Sequence, residues 1–199
     1  MYREAVDACP IEEKCQAIES IEDYTEFSSL TKTYVNAVVS AEDKRFWEHG
    51  GFDIIATARA MWHNIESVEL VEGGSTITQQ LGRIMYFTQE KDFTRKIAEV
   101  FVAKDLEKKY DKEKIFELYV NCIYFGSGYY NVYDASMGYF DKKPSELNFY
   151  EATMIAGIPN APSVYSPDVS PELAEERRQQ VIECMVEDGY DVEEQKERR

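Results

Sequence analysis

Apolar residues along the chain recur at three- and four-residue spacing far more often than they alternate, which is the signature of amphipathic helices. From Thr33, the residues Tyr34, Val35, Val38 and Val39 recur with small Ala37, Ser40 and Ala41 between them. This predicts a buried helix carrying Glu42 and Asp43 at its C-terminal end. Gly50 and Gly51 break the pattern, and Ile54 to Val68 reads as helix again. After Gly73 and Gly74, Ser75 and Thr76 stand ahead of Gln79, a capping-box arrangement for a helix beginning near Ile77. A polar stretch, Thr88 to Thr94, precedes a long predicted helix from Arg95 to Tyr110 with Ile97, Val100, Phe101 and Leu106 as its apolar stripe. Another helix follows from Asp111 to about Ile123 and ends at Gly126-Ser127-Gly128; Pro159, Pro162 and Pro167 then mark a loop before a final helix, about Pro171 to Glu187. Strand-like alternation is scarce, so the expected fold is mainly α, with no βαβ pattern to support a doubly wound nucleotide-binding fold.

Length and composition narrow this further. At 199 residues one compact domain is the default, and a 44% hydrophobic share argues against wholesale disorder. The net charge of −16 repels polyanions, so nucleic acid is not an expected partner. The excess sits at the ends: −6 over residues 1–31 and −6 over residues 168–199, against −4 for the middle. We therefore expect an acidic N-terminal arm (1–31), extended or shortly helical, a core (32–167), and a solvated acidic C-terminal helix and tail (168–199). No run of 18 apolar residues is present, and no basic stretch followed by an apolar run opens the chain, so a membrane anchor is expected to be absent from it. Cys9, Cys15, Cys122 and Cys184 match no metal-binding spacing; Cys9 and Cys15 could pair, but isolated thiols are the favoured reading because a chain this long needs no staple.

Three constellations could carry chemistry. Glu42, Asp43, Phe46, His49, Gly51 and Asp53 crowd polar groups directly after an apolar helix. A carboxylate at the rim of an apolar surface can be pushed up by desolvation, which suits a general base, although a solvated acidic helix end is the plainer alternative. Gly74, Ser75, Thr76, Gln79 and Gln80 place flexible backbone, free N–H groups and hydroxyls at a helix start, a natural anion or sugar-hydroxyl site or simply a capped helix. Arg83, Lys91, Arg95 and Lys96 gather four cations within fourteen residues of an acidic chain, followed by Glu99. Such a cluster can neutralise a diphosphate, or amount to routine surface pairing such as Arg95 with Glu99.

Taken together and in order, these stretches resemble the peptidoglycan glycosyltransferase domain of class A penicillin-binding proteins and monofunctional cell-wall glycosyltransferases, over about residues 23 to 167. Glu42-Asp43 through Phe46, His49, Gly51 and Asp53 is similar to the first family motif, with every defining position filled. Gly73 through Leu81 resembles the second, Arg95-Lys96-Ile97-Ala98-Glu99 the third, Lys114 to Asn121 with Tyr124-Phe125-Gly126 the fourth, and Glu151 with Ala156 to Pro162 the fifth. The resemblance implies a lysozyme-like α fold that leans on a membrane surface at the extracytoplasmic face of the bacterial cell membrane. It implies polymerisation of lipid II into a nascent glycan strand, with inversion at the anomeric carbon and release of polyprenyl diphosphate. Glu42 matches the general base. Glu99 matches a second acid that orients the site or helps hold a divalent cation, Mg or Mn. Arg83, Lys91, Arg95 and Lys96 fall where the family contacts diphosphate, and Ser75, Gln79, Gln80 and Asn121 where it lines the sugar cleft. Other cell-wall synthesis proteins are candidate partners.

The chain departs from the family pattern in carrying Arg83-Ile84 where Lys-Asn is usual, Asn131 where Gly is common, and Asp141 where Gly follows Tyr-Phe. Two other classes remain open on the sequence. A lysozyme-like glycan hydrolase would also use paired carboxylates but needs no diphosphate clamp. A noncatalytic module would bind precursor without turning it over.

Overall fold

The protein, seen in a computed structural model, is described over residues 1–55, 74–87 and 93–192. The fold is mainly α, the class expected from the apolar spacing and consistent with the lysozyme-like architecture that the resemblance implies, and among the described residues there is no strand. In chain order the helices are α1 (Tyr2–Ala8), α2 (Ile11–Glu19), α3 (Lys32–Glu42), α4 (Ile77–Tyr86), α5 (Phe93–Lys109), α6 (Lys112–Val120), α7 (Val132–Phe140), α8 (Phe149–Gly157), α9 (Pro162–Tyr165) and α10 (Pro171–Glu187). Most of the predicted helix Ile54 to Val68, the break at Gly73, the Lys91 cation and the tail after Val192 lie outside the described residues. The contacts sort into two compact units. The first takes Met1–Gln16 and the described part of Arg45–Tyr119; the second joins Ala17–Lys44 to the chain from Val120 onward.

In the first unit α4 packs against α5, with Ile77, Leu81, Val102 and Leu106 fully buried. The predicted α5 stripe needs correcting. The buried face holds Arg95, Ala98, Glu99, Val102, Ala103 and Leu106, whereas Ile97 and Phe101 are 46% and 50% exposed. Leu106 of the expected stripe is on the buried face, but the rest of that face is carried by small residues, Val102, an arginine and a glutamate, so apolarity alone misplaced Ile97 and Phe101. Phe101 instead meets the ring of Tyr2 at 5.4 Å, and the Tyr2 hydroxyl bonds Asp105. Further along the N-terminal arm, α2 buries Ile11 and Cys15, and the Tyr86 hydroxyl donates to the Cys9 carbonyl at 2.8 Å. Each burial of a large apolar side chain of this kind stabilises by about 1.5–3 kcal/mol.

In the second unit α3, α8 and α10 pack on one another. Every residue of α8 except Tyr150 is buried, and α3 contributes Tyr34, Val35, Ala37, Val38 and Val39. The expectation of a solvated C-terminal helix is corrected here, because α10 buries Ala174, Val181 and Met185. Those three residues lie seven and four positions apart on one face, a sparse stripe that the surrounding acids mask in the sequence.

One departure from the family pattern acquires a physical reason, and another runs against its local backbone. Asn131 caps α7, its side-chain oxygen accepting the Asp134 N–H at 2.7 Å, a task for which asparagine is well suited. Asp141 ends the same helix in the left-handed region, φ 53° and ψ 39°, where glycine pays no steric penalty and where a carboxylate faces the negative end of the helix dipole. Asp141→Gly is therefore expected to stabilise the protein by about 1 kcal/mol, raising the thermal midpoint by roughly 2–4 °C. A midpoint that falls in a melting experiment would show that the aspartate makes a compensating interaction.

Candidate active site

The candidate residues fall into two groups, one in each unit. In the first unit the turn after residue 44 is fixed by side chains the sequence had singled out. Phe46 is fully buried, 6.1 Å from the Phe116 ring, with Lys112 Nζ 4.4 Å from its own ring centre. Arg45 Nε donates to Asp53 Oδ2 at 3.0 Å, and Asp53 Oδ1 accepts the Ile55 N–H at 2.9 Å. His49 is buried edge-on to Phe46. Gly51 has φ +82°, and a Cβ there would lie 2.9 Å from the Ala103 carbonyl oxygen, so no larger residue fits without movement. These residues shape the loop.

The Gly51 carbonyl accepts the Thr76 hydroxyl at 2.8 Å, tying this turn to the start of α4. There the predicted capping box is present: Thr76 Oγ1 accepts the Gln79 N–H at 3.1 Å and Gln79 Oε1 accepts the Thr76 N–H at 3.0 Å. Thr78 donates to Glu107 at 2.6 Å, and the Tyr119 hydroxyl donates to Gln80 Oε1 at 3.1 Å. Thr76, Gln79 and Gln80 thus hold the helix start in place. Ahead of them Gly74, exposed with φ +151°, and half-buried Ser75 form the accessible rim.

Lys96 Nζ donates to Ser75 Oγ at 2.6 Å and also lies 3.2 Å from Glu99 Oε2. Arg95 Nε lies 3.3 Å from Glu99 Oε1. Glu99 is 1% exposed, so its two oxygens are faced by two cations from its own helix, and through Lys96 it aims an ammonium at Ser75. The group can present positive charge and a hydroxyl to an anion near the N-terminus of α4, where backbone N–H groups already favour one. Arg83 is half-buried in the last turn of the same helix. Glu99 fits a divalent cation poorly, since a guanidinium and an ammonium stand where the ion would bind. Among the described residues no group of three or more His, Cys, Asp or Glu is arranged to hold a metal.

In the second unit Glu42 is the last residue of α3, its side chain 9% exposed, with Arg177 Nη2 of α10 at 3.9 Å from Oε1. Sequence reading missed Arg177. The signal available was Arg177-Arg178, a basic pair inside an otherwise acidic helix. Asn121 is 2% exposed, and its carboxamide is engaged in both directions with the main chain of Thr25, accepting the N–H and donating to the carbonyl, each at 2.8 Å. It pins the segment that leads into α3. Glu151 completes a capping box with Asn148 at the start of α8 and accepts from Lys142 at 2.6 Å.

No helix among the described residues is long and apolar enough to cross a membrane. A transglycosylase family model matches residues 12–186, from within α2 to within α10. The chain is 43% identical over 174 residues to penicillin-binding protein 1A of Aquifex aeolicus (strain VF5), covering 87% of this chain and 24% of that protein. It is 42% identical over 163 residues to penicillin-binding protein 1F of Bacillus subtilis (strain 168), covering 82% and 23%. It is likewise 42% identical over 170 residues to penicillin-binding protein 1A of Neisseria lactamica, covering 85% and 21%. The chain spans about a quarter of the length of these relatives. A family match over most of its length, relatives above 40% identity, and the filled motifs together establish that the chain belongs to the transglycosylase family.

Proposed function

We propose that the protein is a peptidoglycan glycosyltransferase that polymerises lipid II into glycan strands at the extracytoplasmic face of the bacterial cell membrane. The observation that carries this reading is the nearly buried Glu42 carboxylate at the end of α3, in a chain with the family's motifs in register. A sugar 4-hydroxyl has a pKa far above 7, and a positioned carboxylate that takes its proton contributes on the order of 100- to 10,000-fold. As the hydroxyl oxygen bonds to the anomeric carbon, the bond from that carbon to the diphosphate breaks with inversion, and the proton passes to Glu42.

The leaving diphosphate needs no proton; it needs cations already in place, where a preorganised partner contributes ~3 kcal/mol. Lys96 and Arg95 fill this role, with Glu99 orienting them and Ser75 beside Lys96. Arg83 adds a further cation on α4, Lys91 is assigned to the diphosphate by the family motif alone, and Gly74 leaves the backbone open to the precursor. Thr76, Gln79 and Asn121 act by holding the surrounding main chain, and Gln80 by holding the Tyr119 hydroxyl. We assign no step to a divalent cation. The membrane surface holds the lipid substrate, and other cell-wall synthesis proteins are the partners this reading suggests.

Incubation with detergent-dispersed lipid-linked disaccharide-peptide tests the proposal, with products resolved by size. Strands longer than the precursor are expected. Release of sugars from preformed glycan would identify a hydrolase, and binding without product a noncatalytic module; either result overturns the proposal.

A further inference from the structure

The acidic C-terminal helix supplies a charge that the motifs do not account for. Arg177 of α10 directs its guanidinium at Glu42 of α3, with Nη2 3.9 Å from Oε1 and the two side chains 14% and 9% exposed. The guanidinium is itself held in place. Its Nε donates to the Gly157 carbonyl at 3.4 Å, its Nη1 donates to Gln180 Oε1 at 3.1 Å, and the ring centre of Tyr165 lies 5.9 Å away. Gly157, at the end of α8, makes room for the arm, since a Cβ there would come within 3.0 Å of Arg177 Cγ. A charge anchored from three elements stays where it is while chemistry proceeds nearby.

We infer that Arg177 is a positioning residue for the general base, keeping the Glu42 carboxylate ionised and aimed through charge rather than through a shared hydrogen bond. This rests on the reading of Glu42 as base. At 3.9 Å the contact is within ion-pair range but beyond a hydrogen bond, so the guanidinium favours the anion without taking the lone pair on which the sugar proton must land. An opposite charge at this range lowers a carboxyl pKa, and exclusion from water makes the effect several times stronger than at an open surface. Burial alone would push Glu42 towards its neutral form, which cannot accept a proton.

Several titratable groups on the elements packed with α3 have partners of their own. On α3 the next residue is Asp43, and α8 brings Glu151, which pairs with Lys142. From α10 come Glu175, bonded by Arg178, and the thiol of Cys184, which burial pushes up against an opposing pull from Arg177. Asp188, just past α10, pairs with Lys44.

The test is the pH dependence of kcat and KM with lipid-linked disaccharide for the full natural chain and for its Arg177→Gln and Arg177→Lys variants. In Arg177→Gln the acid limb is expected to move up by about one pH unit, a tenfold loss at fixed pH on that limb, with KM little changed. Arg177→Lys, which keeps the charge, should recover most of that shift. An acid limb that stays in place in Arg177→Gln, whatever its melting temperature, overturns the inference. Should that variant fail to fold, Arg177→Met, which keeps the apolar length of the arm without its charge, takes its place: the same upward move of the acid limb is expected, and a limb that stays in place overturns the inference. Glu42→Gln separates the two claims. If it retains near-normal turnover, the base assignment itself falls; if it is inactive while Arg177→Gln leaves the limb unmoved, only the role of Arg177 falls.

Discussion

Glu42→Gln is expected to reduce strand synthesis by about 100- to 10,000-fold while leaving precursor binding close to normal. The substitution exchanges one oxygen for an amide nitrogen and so preserves shape, but it removes the group that can accept a proton. Shape matters here because the side chain is 9% exposed and sits where α3 ends against α10, so a truncation to alanine would confound lost chemistry with lost packing. Folding should tolerate the amide. Arg177 loses an ion pair but keeps the Gly157 carbonyl and Gln180 as acceptors, so its charge is not stranded. The measurement is single-turnover polymerisation alongside a binding assay with the same lipid-linked precursor. Near-normal turnover would remove Glu42 as the base; loss of binding in step with turnover would make it a recognition residue instead.

Most of the helical layout was legible because local rules and packing agree. Thr76 and Gln79 specify a capping box by spacing alone, and the box forms where the spacing puts it. Pro171 and the acids behind it set the start of α10, and Gly189 with φ +82° follows its end. What the sequence hid were cases where a polar residue occupies the inner face. Arg95 and Glu99 lie on the buried side of α5 because each neutralises the other, which removes the penalty that normally keeps such groups outside. The site was legible as motifs but not as contacts. Nothing local connects Glu42 to Arg177, 135 positions further along, and only the packing of α3 on α10 brings them together. Residues such as Gln79 and Asn121, grouped by motif with the substrate, turn out to bond main chain. A motif records that a side chain is required; it does not distinguish touching the substrate from shaping the loop that does.

Glu99→Ala should produce the largest loss of stability of any single substitution considered, about 3 kcal/mol, because it leaves the Arg95 guanidinium buried without its carboxylate. For a chain of this size the thermal midpoint should drop by roughly 6–12 °C. Both side chains are at least nine-tenths buried, so solvent screening does little to soften the effect. Lys96 is differently placed, with its side chain 45% exposed; freed from Glu99 it keeps the Ser75 hydroxyl but loses the contact that sets its angle. Strand synthesis should therefore fall as well, even at temperatures where the variant is fully folded. The double variant Arg95→Met with Glu99→Leu separates the two effects. Replacing a buried pair by apolar side chains of similar volume is often neutral, so most of the lost stability should return while synthesis stays impaired, since the cation and its orienting acid are both gone. A single variant that melts within a degree of the parent would mean that Arg95 finds another acceptor, and a double variant with normal synthesis would reduce the pair to a structural feature of α5.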